Sequence, residues 1–296
     1  MNNIHYTACP VCQSASLKEV FRLKDHSVTG EIFPVVECEN CSLRITQDAP
    51  GENDIAPYYS SEDYISHTNT KRGLINRLYQ SVRKKTLRKK SRLVKRVTGL
   101  KTGRLLDLGA GTGSFVLEMQ RNSWDVTGIE PGAGAREVAK QNGIELGGPG
   151  KFFVLPKASF DAITLWHVLE HIHDLQKTVR HLKELLNEKG KLIIAVPNYT
   201  SKDAGIYKTN WAAYDVPRHL YHFSPASMQK LLEGNGLKLI GVKPMWYDSY
   251  YISLLSSKYK HGKTKYISAV WNGFRSNLKT ICNSGKCSSI IYIAGK

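Results

Sequence analysis

Glycine recurs at every second position of one short segment, and an acid precedes the first of them. The segment LLDLGAGTGSF covers residues 105–115, with the spacing Asp107-x-Gly109-x-Gly111-x-Gly113. A short apolar run predicts a buried parallel strand, and glycines let the chain turn tightly and bring its backbone against a ligand. The pattern therefore predicts a small-molecule site directly after a strand.

The spacing separates two kinds of nucleotide-like ligand. A dinucleotide fingerprint has its third glycine three residues after the second, but that position is Ser114. The acid two residues before Gly109 suits a ligand that has an ammonium group and no pyrophosphate. A second acid, Glu130, ends another apolar run 21 residues beyond Gly109. A carboxylate at this distance can accept hydrogen bonds from both hydroxyls of a ribose.

Two later segments follow the glycine segment in an order that is typical of one enzyme family. Residues 160–174, FDAITLWHVLEHIHD, read as an apolar strand that runs into a helix. Residues 190–198, GKLIIAVPN, read as a strand that ends in a Pro-Asn turn. With the glycine segment and Glu130, these segments resemble class I S-adenosylmethionine-dependent methyltransferases of the ubiquinone-biosynthesis-like group. The resemblance covers about residues 104–223 and a closing pair of strands.

This resemblance implies the fold class and the methyl donor. It implies an α/β, Rossmann-like, doubly wound sheet of seven strands, whose last two strands form an antiparallel pair at one edge. It also implies S-adenosylmethionine as cofactor. The cofactor-binding residues that match are Asp107, Gly109, Ala110, Gly111, Gly113, Glu130, Trp166 and His167. The family usually reads the adenine amino group with a small acidic or polar residue after the third strand. Residues 143–156 offer no such acid, so adenine recognition stays open.

The chain divides into three predicted parts. Residues 1–55 form a small zinc-ribbon-like module, residues 56–100 a basic helical linker and cap, and residues 101–296 the methyltransferase domain. The domain carries insertions near residues 199–225 and 247–285. Its predicted strands are residues 104–108, 125–130, 144–146, 160–166, 191–196, 237–244 and 288–294.

Four of the six cysteines form two closely spaced pairs. Cys9 and Cys12 make one C-x2-C knuckle, and Cys38 and Cys41 make the other. Two such knuckles bring four thiolates around a tetrahedral zinc ion, and disulfides or redox pairs do not suit a reducing cytosol. We expect a structural zinc that replaces a hydrophobic core in a module too small to build one. Cys282 and Cys287 lack such neighbours and are expected to be ordinary thiols.

The net charge of +17 is concentrated in two flanks of the chain. Residues 1–63 carry four basic and ten acidic residues, whereas residues 64–106 carry fourteen basic residues and no acid. Residues 107–242 carry fifteen basic and fourteen acidic residues, and residues 243–296 carry nine and one, Asp248. A phosphate-binding zinc module needs positive charge, so the acidic first segment makes nucleic acid the less favoured partner.

Each basic flank has a purely structural and a functional interpretation. The first has apolar residues at helical spacing, which predicts an amphipathic helix that caps the core, with its basic face either solvated or in contact with a partner. These apolar residues are Ile75, Leu78, Tyr79, Val82, Leu93 and Val97. The second flank interleaves lysines with aromatic residues, which suits an anionic membrane surface, a phosphorylated substrate or RNA, or a lid that packs over the substrate. We expect an anionic or lipid-linked acceptor where the flanks converge.

The sequence shows neither a signal segment nor a run of about 18 apolar residues. We therefore expect a cytoplasmic protein, with peripheral contact at the inner face of an anionic membrane as an additional hypothesis. The oligomeric state is open.

Methyl transfer from a sulfonium is an in-line displacement of an already activated group. Alignment of the two reactants can supply about 7 to 11 kcal/mol, and a base matters only where the acceptor must lose a proton. Histidine is the residue suited to that task at neutral pH, and His167, His171 and His219 are the candidates. A metal site formed by His167, His171 and His173 is disfavoured, because His173 would leave the shared helix face.

The acceptor is expected beyond the carboxyl ends of the strands and in the first insertion. DVPRHLYHFS in that insertion resembles a segment of a bacterial subgroup of these methyltransferases. The candidate substrate-binding residues are Asn198, Tyr199, Trp211, Tyr214, Asp215, Arg218, His219 and His222.

We predict methyl transfer to a small-molecule or lipid-linked metabolite of the sugar, quinone or phenolic hydroxyl class. Cysteine knuckles before such a domain also resemble some sugar C-methyltransferases and one group of ribosomal RNA methyltransferases. RNA methylation is the alternative, although the sequence after the fourth strand, TLWHVLEH, lacks the signature of many base-amine methyltransferases. A catalytically silent binding protein is the alternative of another class, but Asp107 and Glu130 are both present.

Overall fold

The computed structural model describes residues 3–59 and 74–296. Residues 60–73 of the predicted linker lie outside these ranges, and so do the side chains of Ile75, Leu78 and Tyr79 in the predicted apolar helix face.

Twelve strands and nine α-helices are found in the described part of the chain. The strands are β1 (Asn3–Ile4), β2 (Leu17–Lys24), β3 (Ile32–Cys38), β4 (Arg44–Thr46), β5 (Ala49–Pro50), β6 (Arg104–Leu108), β7 (Asp125–Ile129), β8 (Phe160–Trp166), β9 (Leu186–Pro197), β10 (Tyr221–His222), β11 (Lys238–Pro244) and β12 (Ser289–Gly295). The helices are α1 (Leu74–Thr98), α2 (Ser114–Gln120), α3 (Ala133–Gln141), α4 (Pro149–Phe152), α5 (Leu175–Leu185), α6 (Lys202–Tyr207), α7 (Pro225–Gly234), α8 (Asp248–His261) and α9 (Tyr266–Cys282).

The central sheet has the order β11-β12-β9-β8-β6-β7. Strands β7, β6, β8 and β9 are parallel, and β12 runs antiparallel to both β9 and β11. Leu105 and Leu106 on β6 and Ile193 on β9 are buried, as expected for parallel strands that are covered on both faces. The predicted α/β class and the antiparallel edge pair are confirmed.

The sheet contains six strands in the described ranges, not the predicted seven. The predicted third strand, residues 144–146, does not form a strand, and only a single parallel bridge joins Gly147 to Ile129 at that edge. The chain pairs there through the Gly147 N–H, which donates to the Gly128 carbonyl at 2.8 Å. It cannot continue as a strand because Pro149, which has no N–H, begins α4 two residues later.

The cysteine-containing N-terminal part shares a second sheet with the first insertion. Its order is β10-β4-β3-β2, and β10 of the insertion pairs antiparallel with β4. Leu43 of the N-terminal part and Leu220 and Tyr221 of the insertion are buried in one apolar cluster with the central sheet. The predicted boundaries at residues 55 and 100 stay predictions, but the parts share a core.

Helices cover the sheet and hold its carboxyl edge. Val94 on α1 packs in one cluster with Leu105 of β6 and Trp124 before β7. The second predicted insertion forms α8 and α9. These helices pack closely, since a Cβ added to Gly273 of α9 would lie only 2.9 Å from the Tyr250 ring of α8. Within residues 3–59 and 74–296, no helix is long and apolar enough to cross a lipid bilayer.

Candidate functional site

Three glycines with left-handed backbone angles form the turn between β6 and α2. Gly109, Gly111 and Gly113 have φ angles of 72°, 54° and 74°, which residues with a Cβ rarely adopt. A Cβ on Gly109 would collide with Val168 after β8, whereas a Cβ on Gly111 would meet no atom within 4 Å. The turn is therefore packed on one side and open at Gly111, where a ligand can approach.

Asp107 lies two residues before this turn and is 2% exposed. Its Oδ1 accepts a hydrogen bond of 2.6 Å from the Thr164 hydroxyl, which the register of β6 and β8 places opposite it. Burial raises the pKa of Asp107 to about 7, although Thr164 and the Lys90 ammonium lower it. A cationic ligand would favour the ionised carboxylate in the same way.

Glu130, directly after β7, ties two loops of the site together. Its Oε2 accepts from the Gly111 N–H at 2.8 Å, and its Oε1 accepts from the Gly132 N–H at 2.8 Å. The N–H groups of Gly109 and Ala110 donate to the Ile129 carbonyl at 2.8 and 3.0 Å. Each carboxylate oxygen of Glu130 keeps a second lone pair, so the side chain can still accept from ribose hydroxyls.

Helix α1 passes over the site and brings two basic side chains to it. Arg83 donates to the Ser114 hydroxyl at 2.6 Å. The Lys90 ammonium lies 4.3 Å from the centre of the Trp166 ring, and burial lowers its pKa to about 8 against the opposing effects of Asp107 and Asp248. The buried indole N–H of Trp166 has no hydrogen-bond partner in the described part of the chain. Lys90 therefore acts on the Asp107 carboxylate and also contacts the Trp166 ring.

His167 is held between two carboxylates. Its Nε2 lies 2.9 Å from Asp248 Oδ2, and its Nδ1 lies 3.4 Å from Glu170 Oε1. Burial lowers the pKa of His167, but Asp248 and Glu170 outweigh burial and raise the pKa to about 10. At neutral pH the ring is therefore an imidazolium, which cannot accept a proton from an acceptor. The predicted role of His167 as a base does not fit this geometry.

His171 and His219 form a neighbouring pair of a different kind. The His171 Nδ1 lies 3.0 Å from the Arg218 carbonyl, and the His219 Nδ1 lies 2.9 Å from the Ala213 carbonyl. The rings meet edge to face with centres 4.6 Å apart. Burial, followed by the neighbouring His219, lowers the pKa of His171 to about 4. One side-chain ligand atom from each of Glu170, His171 and His219 lies within 4.8 Å of the others.

Asn198 and Tyr199 lie after β9, as predicted, but their side chains form hydrogen bonds within the protein. Asn198 is fully buried, and its Nδ2 donates to the Gly285 and Cys287 carbonyls, both at 2.9 Å. The Tyr199 hydroxyl donates to the Ser42 carbonyl at 2.6 Å. Asn198 Oδ1 accepts from the Thr200 N–H and hydroxyl at 3.1 and 2.8 Å, so the polar groups of both side chains have partners within the protein.

Arg218 joins the insertion to the N-terminal part. It is 1% exposed and lies between two carboxylates, with its Nη2 at 2.9 Å from Asp25 Oδ1 and at 2.6 Å from Asp215 Oδ1. Its Nη1 donates to the Tyr58 carbonyl at 2.9 Å. Burial lowers its pKa, but the two carboxylates outweigh burial and raise the pKa of this guanidinium. Arg218 and Asp215 therefore complete an internal ion-pair network.

Trp211, Tyr214 and His222 are also buried between the insertion and the N-terminal part. Trp211 Nε1 donates to Asp203 Oδ2 at 2.8 Å, and Arg44 Nη1 donates to the Tyr214 hydroxyl at 2.7 Å. His222 Nε2 lies 3.1 Å from the Thr46 hydroxyl. Of the predicted substrate-binding residues, His219 is the one that the structure brings to the site around Glu170.

The four predicted zinc ligands converge in the N-terminal part. The Sγ atoms of Cys9 and Cys41 are 3.5 Å apart, as are those of Cys12 and Cys38, and all four lie within 4.8 Å of one another. All are free thiols. The two knuckles have the same construction, because the residue after each, Gln13 or Ser42, has a left-handed φ and donates to the carbonyl of the first cysteine.

Sequence reasoning missed three residues of the site: Lys90, Thr164 and Asp248. Thr164 and Lys90 carried no individual signal, since Lys90 is one of fourteen basic residues in an acid-free segment. Asp248 did carry one, because it is the single acid in residues 243–296. A single acidic residue within a basic segment can indicate an ion-pair partner for a buried histidine, lysine or arginine.

Comparisons with known proteins agree with this geometry. A family model described as "Methyltransferase domain" matches residues 79–242. The ubiquinone biosynthesis O-methyltransferase of Xanthomonas axonopodis pv. citri (strain 306) is 28% identical over 161 residues, which cover 50% of this chain and 67% of the relative. An uncharacterized methyltransferase of Alkaliphilus oremlandii (strain OhILAs) is 31% identical over 108 residues, or 35% of this chain and 50% of the relative. The chain thus spans about half to two thirds of the length of these relatives.

A solved structure shows the same fold. The phosphoethanolamine N-methyltransferase 2 of Haemonchus contortus, in complex with S-adenosyl-L-methionine, superposes with a TM-score of 0.50 at 19% identity. The superposition covers 70% of this chain and 52% of that one.

Proposed function

Because the chain belongs to the methyltransferase-domain family whose model matches residues 79–242, we propose that it methylates a hydroxyl group of a small or lipid-linked metabolite, of the sugar, quinone or phenol class. The protein is a class I S-adenosylmethionine-dependent methyltransferase. The observation that carries the proposal is the uncommitted polar groups at the carboxyl edge of the sheet: the Trp166 N–H and both oxygens of Glu170.

The cofactor is proposed to bind along the glycine turn. Its ribose hydroxyls would donate to the free lone pairs of Glu130, and its adenosyl group would approach the backbone at Gly109, Ala110, Gly111 and Gly113. Its cationic portion would face Asp107 and the Trp166 ring, where the Lys90 ammonium now lies 4.3 Å from the ring centre. His167 would border this site as a positioning residue fixed by its two carboxylates.

The acceptor is proposed to lie on the far side of His167, against His171 and His219. Both rings offer an Nε2 that no described residue uses at hydrogen-bonding distance. The acceptor oxygen loses its hydroxyl proton to water and forms a bond to the methyl carbon, the S–CH3 bond breaks, and the electron pair of that bond neutralises the sulfonium. The chain's own contribution is alignment, which can supply about 7 to 11 kcal/mol. Asn198, Tyr199, Trp211, Tyr214, Asp215, Arg218 and His222 are proposed to support this site through packing rather than contact.

The cysteine cluster is proposed to hold one structural zinc ion through Cys9, Cys12, Cys38 and Cys41. A tetrahedral zinc with Zn–S distances of about 2.3 Å separates its sulfurs by about 3.8 Å, and the thiols already lie 3.5 to 4.8 Å apart. Zinc would fix the two knuckles, and the N-terminal part would in turn hold the insertion through β4 and β10.

Helix α9 supports peripheral contact with an anionic membrane. It exposes apolar residues three or four positions apart, including Ile267 at 91%, Trp271 at 58% and Ile281 at 71%. Arg275 and Lys279 lie on the same helix. Apolar insertion combined with basic residues favours a surface of anionic lipid. The wild-type protein should float with phosphatidylglycerol vesicles. Trp271→Glu should abolish this flotation, whereas Ile240→Glu, at an isolated exposed position of β11, should not change it. Equal flotation of both variants would contradict this contact.

Methyl transfer is tested by release of S-adenosylhomocysteine with pooled acceptors: nucleotide sugars, polyprenyl phenols, simple phenols and bulk RNA. We expect turnover with at least one hydroxyl metabolite and at most a tenth of that rate for Asp107→Asn. Turnover with RNA alone would contradict the acceptor class. We do not propose RNA, because the first 63 residues are acidic.

A further inference from the structure

Glu170 is a buried carboxylate whose charge the protein balances but whose oxygens it leaves without hydrogen bonds. Burial raises the pKa of Glu170, but the neighbouring His167 outweighs burial and lowers it. Its side chain is 0% exposed, and neither carboxylate oxygen has a hydrogen-bond partner in the described part of the chain. A buried carboxylate is costly unless charge and hydrogen bonds compensate it. His167 supplies charge at 3.4 Å from Oε1 without a hydrogen bond, and its other nitrogen is already committed to Asp248.

Two histidines beside Glu170 are held in the tautomer that leaves a lone pair free. The Nδ1 atoms of His171 and His219 lie at 3.0 and 2.9 Å from the carbonyls of Arg218 and Ala213. A carbonyl only accepts, which favours the proton on each Nδ1, and the Tyr59 hydroxyl, 3.1 Å from His171 Nδ1, can accept from the same N–H. Each neutral ring then has its lone pair on Nε2. Metal-binding histidines are fixed in this manner by a hydrogen bond from their second nitrogen to a carbonyl or a carboxylate.

The nearest other carboxylate, Asp215, does not bind the Nε2 lone pair of His219. Asp215 Oδ2 lies 4.0 Å from His219 Nε2, too far for a hydrogen bond, and Asp215 binds Arg218 with both oxygens. The ligand atoms of Glu170, His171 and His219 lie within 4.8 Å of one another. Metal–ligand distances of about 2.0 to 2.2 Å correspond to ligand spacings of about 3 to 3.5 Å, so a bound ion would draw these three atoms closer together.

We propose that Glu170, His171 and His219 form a second metal site, which binds a divalent first-row transition-metal ion. Two imidazoles and one carboxylate suit such an ion and leave coordination positions open. The site rests on the proposed function in one respect: an open position would bind the acceptor oxygen. The ion would favour loss of the hydroxyl proton to water, and the oxygen would then attack the methyl carbon. In this arrangement His171 and His219 would bind the acceptor through the metal ion rather than by direct contact.

Cobalt(II) is the probe, because its absorption spectrum distinguishes thiolate ligands from nitrogen and oxygen ligands. The full chain, loaded with one zinc equivalent, is titrated with Co²⁺ by calorimetry and visible absorption, without cofactor or acceptor. We expect one Co²⁺ per chain, bound without a thiolate charge-transfer band. Glu170→Gln and His219→Asn should each weaken Co²⁺ binding at least tenfold.

His181→Asn is the matched control. Its side chain is 13% exposed against 12% for His219, and its Nδ1 also lies near a carboxylate, 3.8 Å from Glu184. This variant should bind Co²⁺ within twofold of the wild type. Circular dichroism shows whether each variant is folded, and His219→Asn provides a second reading if Glu170→Gln does not fold.

No Co²⁺ uptake by the wild type, uptake with a thiolate band only, or unchanged affinity in a folded Glu170→Gln or His219→Asn variant would overturn the proposal. Since the titration contains no methyl donor, its failure is separate from failure of the proposed function. Metal binding without any methyl transfer would contradict the function and leave the site intact.

Discussion

Two regions of the molecule contain similar buried polar side chains but differ in whether these side chains have hydrogen-bond partners. In and directly before the first insertion, Arg218, Asp215 and Asn198 are buried or partly buried, and their polar groups pair within the protein. His222 Nδ1 is the exception in the insertion, since it has no hydrogen-bond partner among the described residues. At the carboxyl edge of the central sheet, the Trp166 N–H and the Glu170 oxygens are buried and have no hydrogen-bond partner among the described residues. Since unpaired buried polar groups cost free energy, they indicate the place where a ligand completes the structure.

This contrast separates scaffold from site. Substitutions in the insertion and at the cysteine cluster should mainly change the free energy of unfolding. Substitutions at the sheet edge should mainly change ligand binding.

Zinc removal should give the largest effect on stability. Cys38→Ser, or chelation of the wild-type protein, would remove a metal that contributes about 10 kcal/mol or more in isolated zinc modules. Because Cys38 and Leu43 lie in the core cluster shared with the central sheet, the loss should lower Tm by about 10 °C or more. Calorimetry and metal content measure this, with the exposed Cys282→Ser as control. One zinc per chain in Cys38→Ser would argue against the cluster.

Arg218→Leu should give the next largest effect. It leaves Asp25 fully buried without its cation, which costs about 3 to 5 kcal/mol. Urea unfolding measures the loss. The control is Arg22→Leu, because Arg22 pairs with Glu19 at side-chain exposures of 64% and 47%, where solvent screening leaves little effect on the free energy of unfolding. A loss of S-adenosylmethionine binding in folded Arg218→Leu, without a loss of stability, would reverse the assignment of the insertion to the scaffold.

Cofactor affinity should depend on pH through Asp107. Its pKa of about 7 means that about a tenth of the carboxylate is ionised at pH 6 and about nine tenths at pH 8, so S-adenosylmethionine should bind about tenfold more tightly at pH 8. For folding the sign is opposite. The pKa in the folded protein lies above the ordinary value of 3.8 for an aspartate, so the stability contribution is full below pH 3.8 and is lost as pH rises through 7.

Asp107→Asn tests both signs together. It should abolish the pH dependence of cofactor binding between pH 6 and 8 and should make the ligand-free protein more stable than the wild type at pH 8. A tenfold pH effect that persists in Asp107→Asn would assign the titration to another group, with Lys90 as the first candidate because its pKa is about 8.

Local signals made much of the site predictable from sequence. The glycine spacing reflects three left-handed positions within one turn, and each cysteine knuckle is complete within one turn. Partners across long distances were not predictable. Asp25 meets Arg218 across 193 positions, and Asp248 meets His167 across 81. The composition of the insertion showed that polar groups gather there, but whether they are satisfied depends on those distant partners.

The central claim is that the sheet edge binds S-adenosylmethionine through Asp107 and Glu130. Isothermal titration of the wild type, Asp107→Asn, Glu130→Gln and the exposed control Asp125→Asn at pH 8 tests it most directly. We predict that the first two variants bind S-adenosylmethionine at least tenfold more weakly and that Asp125→Asn binds within twofold of the wild type. No binding by the wild type, or unchanged affinity in folded Asp107→Asn and Glu130→Gln, would contradict the account.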